Sequence, residues 1–178
     1  MKKFGLPILA SILALSLTIS AKTQSSGSKH FEDRMNREVH HELVMLPQLT
    51  IFDNLSYKVD GSTVTLLGEV RTPILKEEAM NVVKKIEGVE HVDNEILVLP
   101  PSPNDDRIRR QVARALFNDS RLFPYSLGSL PSIHIIVNGG HVSLEGLVNN
   151  QGDKNVAGIR ANSVPGVFSV QNNLQVGE

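Results

Sequence analysis

The sequence predicts an α+β protein: two tandem small α-β-β-α-β domains, each a three-stranded sheet packed on two helices. Three observations predict it. Sliding the chain by 78 residues aligns 57–98 with 135–176 without a gap, and thirteen of those 42 positions are identical, among them Val59/Val137, Leu66/Leu144 and Asn94/Asn172. Upstream, "DRMNREVHHEL" (33–43) matches "DRIRRQVARAL" (106–116) at an offset of 73, so the second copy carries five extra residues within 118–132. In both copies the apolar spacing runs helical, alternating, alternating, helical, alternating.

Each element follows from its residues. Met35, Val39, Leu43 and Leu46 recur at helical spacing and predict an amphipathic helix over 33–46. Leu55, Tyr57 and Val59 alternate with polar residues, Asp60-Gly61 turns the chain, and Val64, Leu66 and Val70 alternate again, which is a β-hairpin. Gly61 and Gly139 supply the turn. Gly68 and Gly146 lie within a strand on the apolar face, where a missing side chain would admit a helix close to the sheet. Thr72-Pro73 is a helix start, followed by a buried stripe of Ala79, Val82, Val83 and Ile86. A last strand carries Val92, Ile96 and Val98 on one face, with Asn94 and Asn172 on the apolar side as buried amides bonded to a neighbouring loop.

Domain boundaries come from composition. Lys2 and Lys3 precede an uncharged run from Phe4 to Ser20, the pattern of a secretory signal peptide over 1–21, too short for a comfortable membrane span. Residues 22–32 read as a flexible segment, 33–98 as the first domain, the Pro-rich 99–104 as a linker and 105–178 as the second domain. The chain has no cysteine, which excludes a disulfide framework, a thiolate metal site, a cysteine nucleophile and an N-terminal lipid anchor. An exported, periplasmic protein is expected, associated with a membrane peripherally.

Catalytic motifs do not emerge. The repeated glycines fit neither G-x-x-x-x-G-K-[ST] nor G-x-G-x-x-G between a strand and a helix. Of the six histidines, His40 and His41 are adjacent, about 100° apart on a helix, and His30, His91, His134 and His141 have no counterpart in the other copy. No metal, cofactor or nucleic acid is expected, and no enzymatic activity.

The asymmetry lies in charge. Residues 30–99 hold 7 Lys or Arg against 13 Asp or Glu, and residues 104–178 hold 7 against 6. In the helix 106–117, Ile108, Val112, Ala115 and Leu116 form the buried side, and Arg107, Arg110 and Arg114 fall within about 60° of each other on the opposite side. The first copy has Arg34, Arg37 and His41 there, flanked by Glu38 and Glu42. Beyond the helix, the inserted stretch holds Arg121, Leu122, Phe123 and Tyr125. An arginine face beside an apolar, aromatic loop suits an anionic phospholipid surface, because guanidinium groups pair with phosphates while the rings enter the headgroup boundary.

The doubled hairpin V-x-G-x-x-V-x-L-x-G-x-V and the doubled ending G-V-x-x-V-x-N-x-[IL]-x-V resemble those of dual BON-domain proteins of bacterial envelopes, over about 33–98 and 106–176. That resemblance implies a non-enzymatic module binding phospholipid or other envelope components, with osmotically induced periplasmic proteins among its members. It also implies lipid contact through the second domain's first helix, here 106–117. An adaptor that binds another envelope protein through the acidic first domain is the alternative, and a small-ion module a weaker one.

Overall fold

The structure, a computed structural model, describes residues 20–128 and 130–177, with side-chain surroundings from residue 29 onward. The expected signal peptide therefore lies outside the described residues up to residue 19.

Helix α1 runs Ser20–Val44, followed by β1 (Asn54–Asp60), β2 (Thr63–Val70), α2 (Pro73–Val83), β3 (His91–Asn94) and β4 (Leu97–Val98). The second domain repeats the order with α3 (Pro103–Phe117), β5 (Ile133–Asn138), β6 (His141–Val148), α4 (Gln151–Asn162), β7 (Ser169–Asn172) and β8 (Gln175–Val176). In each sheet the second strand is central. It pairs antiparallel with the first strand of its hairpin and parallel with a last strand that is broken in two. Met35, Val39, Leu43 and Leu46 are buried against Val64, Leu66, Val70, Leu75, Ala79 and Ile96, so the expected helical stripe is the first core.

The chain departs from expectation in several places. Residues 22–32 belong to α1, and Phe31, one turn ahead of Met35, packs on the first core. Likewise α3 begins at Pro103, inside the expected linker, with Ser102 as N-cap accepting from the Asp105 amide at 3.2 Å.

Gly68 does not admit a helix. Its φ is +114°, and a Cβ there would run into the carbonyl of Asn54, across the hairpin; Gly146, at φ +112°, would meet the carbonyl of Ser132. The glycine is thus required by backbone against backbone where the hairpin opens. Gly61 and Gly139 occupy the two-residue turns as expected, at φ +57° and +59°.

The last strand also differs. Asn94 and Asn172 donate to helix carbonyls, Lys76 O at 2.9 Å and Lys154 O at 2.7 Å, rather than to a loop. Their side-chain oxygens accept from the amides of Ile96 and Leu174, where the strand is interrupted, while its register on the central strand is the same before and after the break. Ile96 keeps the expected face and is buried, but beyond it Leu99 is buried and Val98 is exposed.

The two domains meet along one seam. Ile51 and Phe52, from the loop before β1, pack against the second core, and the Ile51 carbonyl accepts from the Ile135 amide at 2.7 Å. The Asp53 carbonyl accepts from His134 Nδ1 at 2.6 Å, which places the ring proton on Nδ1. Asp53 organises that loop. Its carboxylate, buried, accepts from the Thr50 amide and hydroxyl and from the Arg71 amide.

Candidate functional site

The inserted stretch of the second domain is partly core. After α3, the amides of Leu122 and Phe123 bond to the Asp119 carbonyl, and a 3-10 turn spans Phe123–Ser126. Leu122 is fully buried and Tyr125 nearly so, both in the second core. The Tyr125 hydroxyl donates to Asp153 at 2.6 Å and accepts from the Asn149 amide at 2.9 Å, tying the insert to the start of α4. Burial, and then the Asp153 carboxylate, push the phenol's pKa up. Leu122 and Tyr125 therefore cannot enter a headgroup layer as expected. Phe123 is 53% exposed, and Leu127 beside it 59%.

The expected arginines divide in the same way. Arg107 is exposed but held to its own helix, donating to Gln111 at 3.0 Å and Asn104 at 2.8 Å, and its guanidinium lies over Gly166. Arg110, Arg114 and Arg121 are exposed, and among the described residues none has a carboxylate within ion-pair distance. Arg109, which the stripe reading passed over, is buried. It donates to the Val137 carbonyl at 2.5 Å and to Asp106 at 2.7 Å.

What completes the surface comes from α4. Arg114, Arg160 and Asp119 line a cleft of about 420 Å³ between α3 and α4. An adjoining cleft of about 470 Å³ is lined by Arg121, Arg160, Val156 and Ile159, the last 68% exposed. Arg160 donates to one Asp119 oxygen through Nε at 2.9 Å and Nη2 at 2.7 Å, and the other oxygen takes the Arg121 amide at 2.9 Å. The Arg121 amide and then Arg160 hold the Asp119 carboxyl below its ordinary pKa. The outcome is an open cationic surface around an exposed aliphatic side chain, with one carboxylate inside it.

The equivalent groove of the first domain, about 680 Å³ between α1 and α2, has a different lining. Arg34, Arg37 and Lys85 share it with Glu38, Glu42 and Glu87, and Arg34 bonds Glu38 at 3.4 Å. At the repeat offsets Glu38, Glu42 and Glu87 become Gln111, Ala115 and Pro165, and Glu78 on α2 becomes Val156. Val82 becomes Arg160 and Asn81 becomes Ile159. Arg160 and Ile159 escape a reading that follows one helix, yet these exchanges between copies were available as a signal.

Comparison with known proteins agrees with the doubled architecture. The BON domain family model matches residues 35–100 and 104–178. Osmotically-inducible protein Y of Escherichia coli (strain K12) is 30% identical over 131 residues, which cover 68% of this chain and 61% of that protein. Among solved structures, CdsD, a structural protein of the type III secretion system of Chlamydia trachomatis, aligns over 82% of this chain and 94% of its own at 13% identity. The TM-score of that alignment is 0.32, too low to bear on function. No described helix is long and apolar enough to cross a membrane.

Proposed function

Because the chain belongs to the BON-domain family, we propose that it is a non-enzymatic cell-envelope protein which docks on anionic phospholipid through its second domain, in envelope integrity or osmotic stress tolerance. The observation that carries the reading is the α3–α4 surface. Arg114 and Arg121 line its clefts, the second with exposed Ile159, and Arg110 stands one turn ahead of Arg114 on α3; none of the three has a carboxylate partner among the described residues. Guanidinium groups pair with phosphate oxygens in a planar, bidentate geometry, and an exposed aliphatic or aromatic side chain among them reaches the acyl boundary. The likeness to an osmotically inducible protein supports the stress role, and the leader pattern of residues 1–21 supports export.

Vesicle co-sedimentation tests it. The chain is expected to pellet with phosphatidylglycerol vesicles, not with phosphatidylcholine vesicles, and to be released as salt rises. Unchanged pelleting of a chain carrying both Arg110→Glu and Arg114→Glu would overturn the assignment of the surface.

A further inference from the structure

Helix α3 runs from one end of the second domain to the other. At its start the buried Asp105 carboxylate accepts from the amides of Gly139 and Gly140, both at 2.9 Å, in the turn between β5 and β6. At its end lies the cleft of Arg121 and Arg160, with Ile159 as the exposed apolar side chain. The starting end has an apolar side chain as well. Phe168, just before β7, is 74% exposed, more than any other large apolar side chain among the described residues.

Single exposed apolar residues are ordinary on a protein surface, but this ring is held in place beside a cation. The Phe168 amide donates to the Gly140 carbonyl at 2.9 Å, and a Cβ on Gly140 would come within 2.6 Å of the ring. The His141 ring flanks it, with centroids 6.0 Å apart. That same Cβ would lie 3.2 Å from the Gly166 carbonyl, and a Cβ on Gly166 would lie 2.9 Å from Arg107 Nη2. Phe168 and Arg107 thus meet around Gly166, and Arg107 begins the row that continues at helical spacing through Arg110 and Arg114.

The first domain is finished differently at the same place. Its backbone bond is kept, from the Glu90 amide to the Ser62 carbonyl at 2.9 Å. At the repeat offset, however, Phe168 is Glu90 and Gly140 is Ser62, and those two side chains bond each other at 3.0 Å. The aromatic ring near Gly88, the counterpart of Gly166, is that of Phe31, which packs on the core with the Arg34 guanidinium 5.5 Å from its centroid. The fold therefore accepts a charged residue where the second domain projects a ring.

We propose, on the reading that the second domain docks on anionic phospholipid, that Phe168 is a further apolar anchor. Helix α3 then lies along the bilayer surface, with Phe168 at its start, Ile159 toward its end and the arginines between them on the phosphates. The 15 residues of α3 span about 22 Å, which separates the two anchors. A ring already fixed against Gly140 loses little rotamer freedom on entering the headgroup boundary.

The chain has no tryptophan, so Phe168→Trp in the full-length chain is a reporter without background. On titration with phosphatidylglycerol vesicles its emission is expected to shift to the blue and to be quenched by lipids brominated in the acyl chain. Phe168→Ala is expected to weaken vesicle binding roughly tenfold. Leu97→Ala, at a 64% exposed leucine of the first domain, is expected to leave it unchanged. Unshifted emission from a Phe168→Trp chain that pellets with the vesicles overturns the anchor and leaves the phospholipid reading standing, and so does native affinity in Phe168→Ala. A native chain that does not pellet overturns both.

Discussion

The grooves between the two helices of each domain occupy the same place in the same fold, and only one of them is left cationic. In the first, Arg34, Arg37 and Lys85 are matched by Glu38, Glu42 and Glu87. In the second, the carboxylates at the matching positions have become Gln111, Ala115 and Pro165, arginine stands at 160, and Ile159 projects beside it. Duplication kept the positions that build the domain, such as Ala79/Ala157 and Leu66/Leu144, while the outer faces of the helices diverged. An exposed charge costs the fold little to change, so a partner's demands can act there without cost to the core.

The sharpest test of common construction is at the shared glycines. Gly68→Ala and Gly146→Ala are each expected to destabilise their domain by about 4 kcal/mol or more, since each places a Cβ on a neighbouring carbonyl at positive φ. Urea unfolding checks it, and tolerance at one site alone would show that the hairpins are not equivalent. Next in size is the insert, where the copies differ. Leu122→Ala is expected to cost about 3 kcal/mol as a cavity in the second core, and Phe123→Ala almost nothing. Should Leu122→Ala leave the melting curve in place, the insert is not part of the core.

The grooves themselves are separated by charge reversal. Arg110→Glu with Arg114→Glu is expected to weaken binding to phosphatidylglycerol vesicles by at least roughly 30-fold, at about 1 kcal/mol for each charge near an anionic surface. Arg34→Glu with Arg37→Glu in the first domain should leave it unaltered, and equal losses in the two pairs would dissolve the distinction between the domains.

The smallest effect sits at the seam. Burial, and then Glu145 in the other domain, raise the pKa of Glu69. A carboxyl whose folded pKa is raised binds its proton more tightly when folded, so stability falls as pH rises from the unfolded pKa through the folded one. Glu69→Gln is accordingly expected to stabilise the chain above that window by less than about 1 kcal/mol and to do nothing below it. Thermal unfolding across the carboxylate range reads this directly; a gain confined to low pH would reverse the sign.

Much of the fold was legible because it rests on period and punctuation. The stripe Met35-Val39-Leu43-Leu46, the Thr72-Pro73 start and the Gly61 turn each carry their geometry in local sequence, and each stands in the structure as read. The misplacements share a cause. Val98 was put inside by strict alternation, but the strand is interrupted after Asn94, whose side chain bonds the Lys76 carbonyl and the Ile96 amide, and past Ile96 it is Leu99 that is buried and Val98 that is exposed. Tyr125 was grouped with the exposed aromatic loop, yet Asp153 and the Asn149 amide, 24 or more residues away, supply the partners that let its hydroxyl be buried.

By itself the sequence determined the repeat, the order of elements and the imbalance of charge between the copies, because periodicity, turn chemistry and composition act over a few residues at a time. Only the tertiary structure decided which arginines are free, which is buried at the junction, and which side chains of the insert reach solvent. Those outcomes depend on the approach of α3 to α4 and on Ile51 and Phe52 packing into the other domain's core, contacts between segments far apart in the chain.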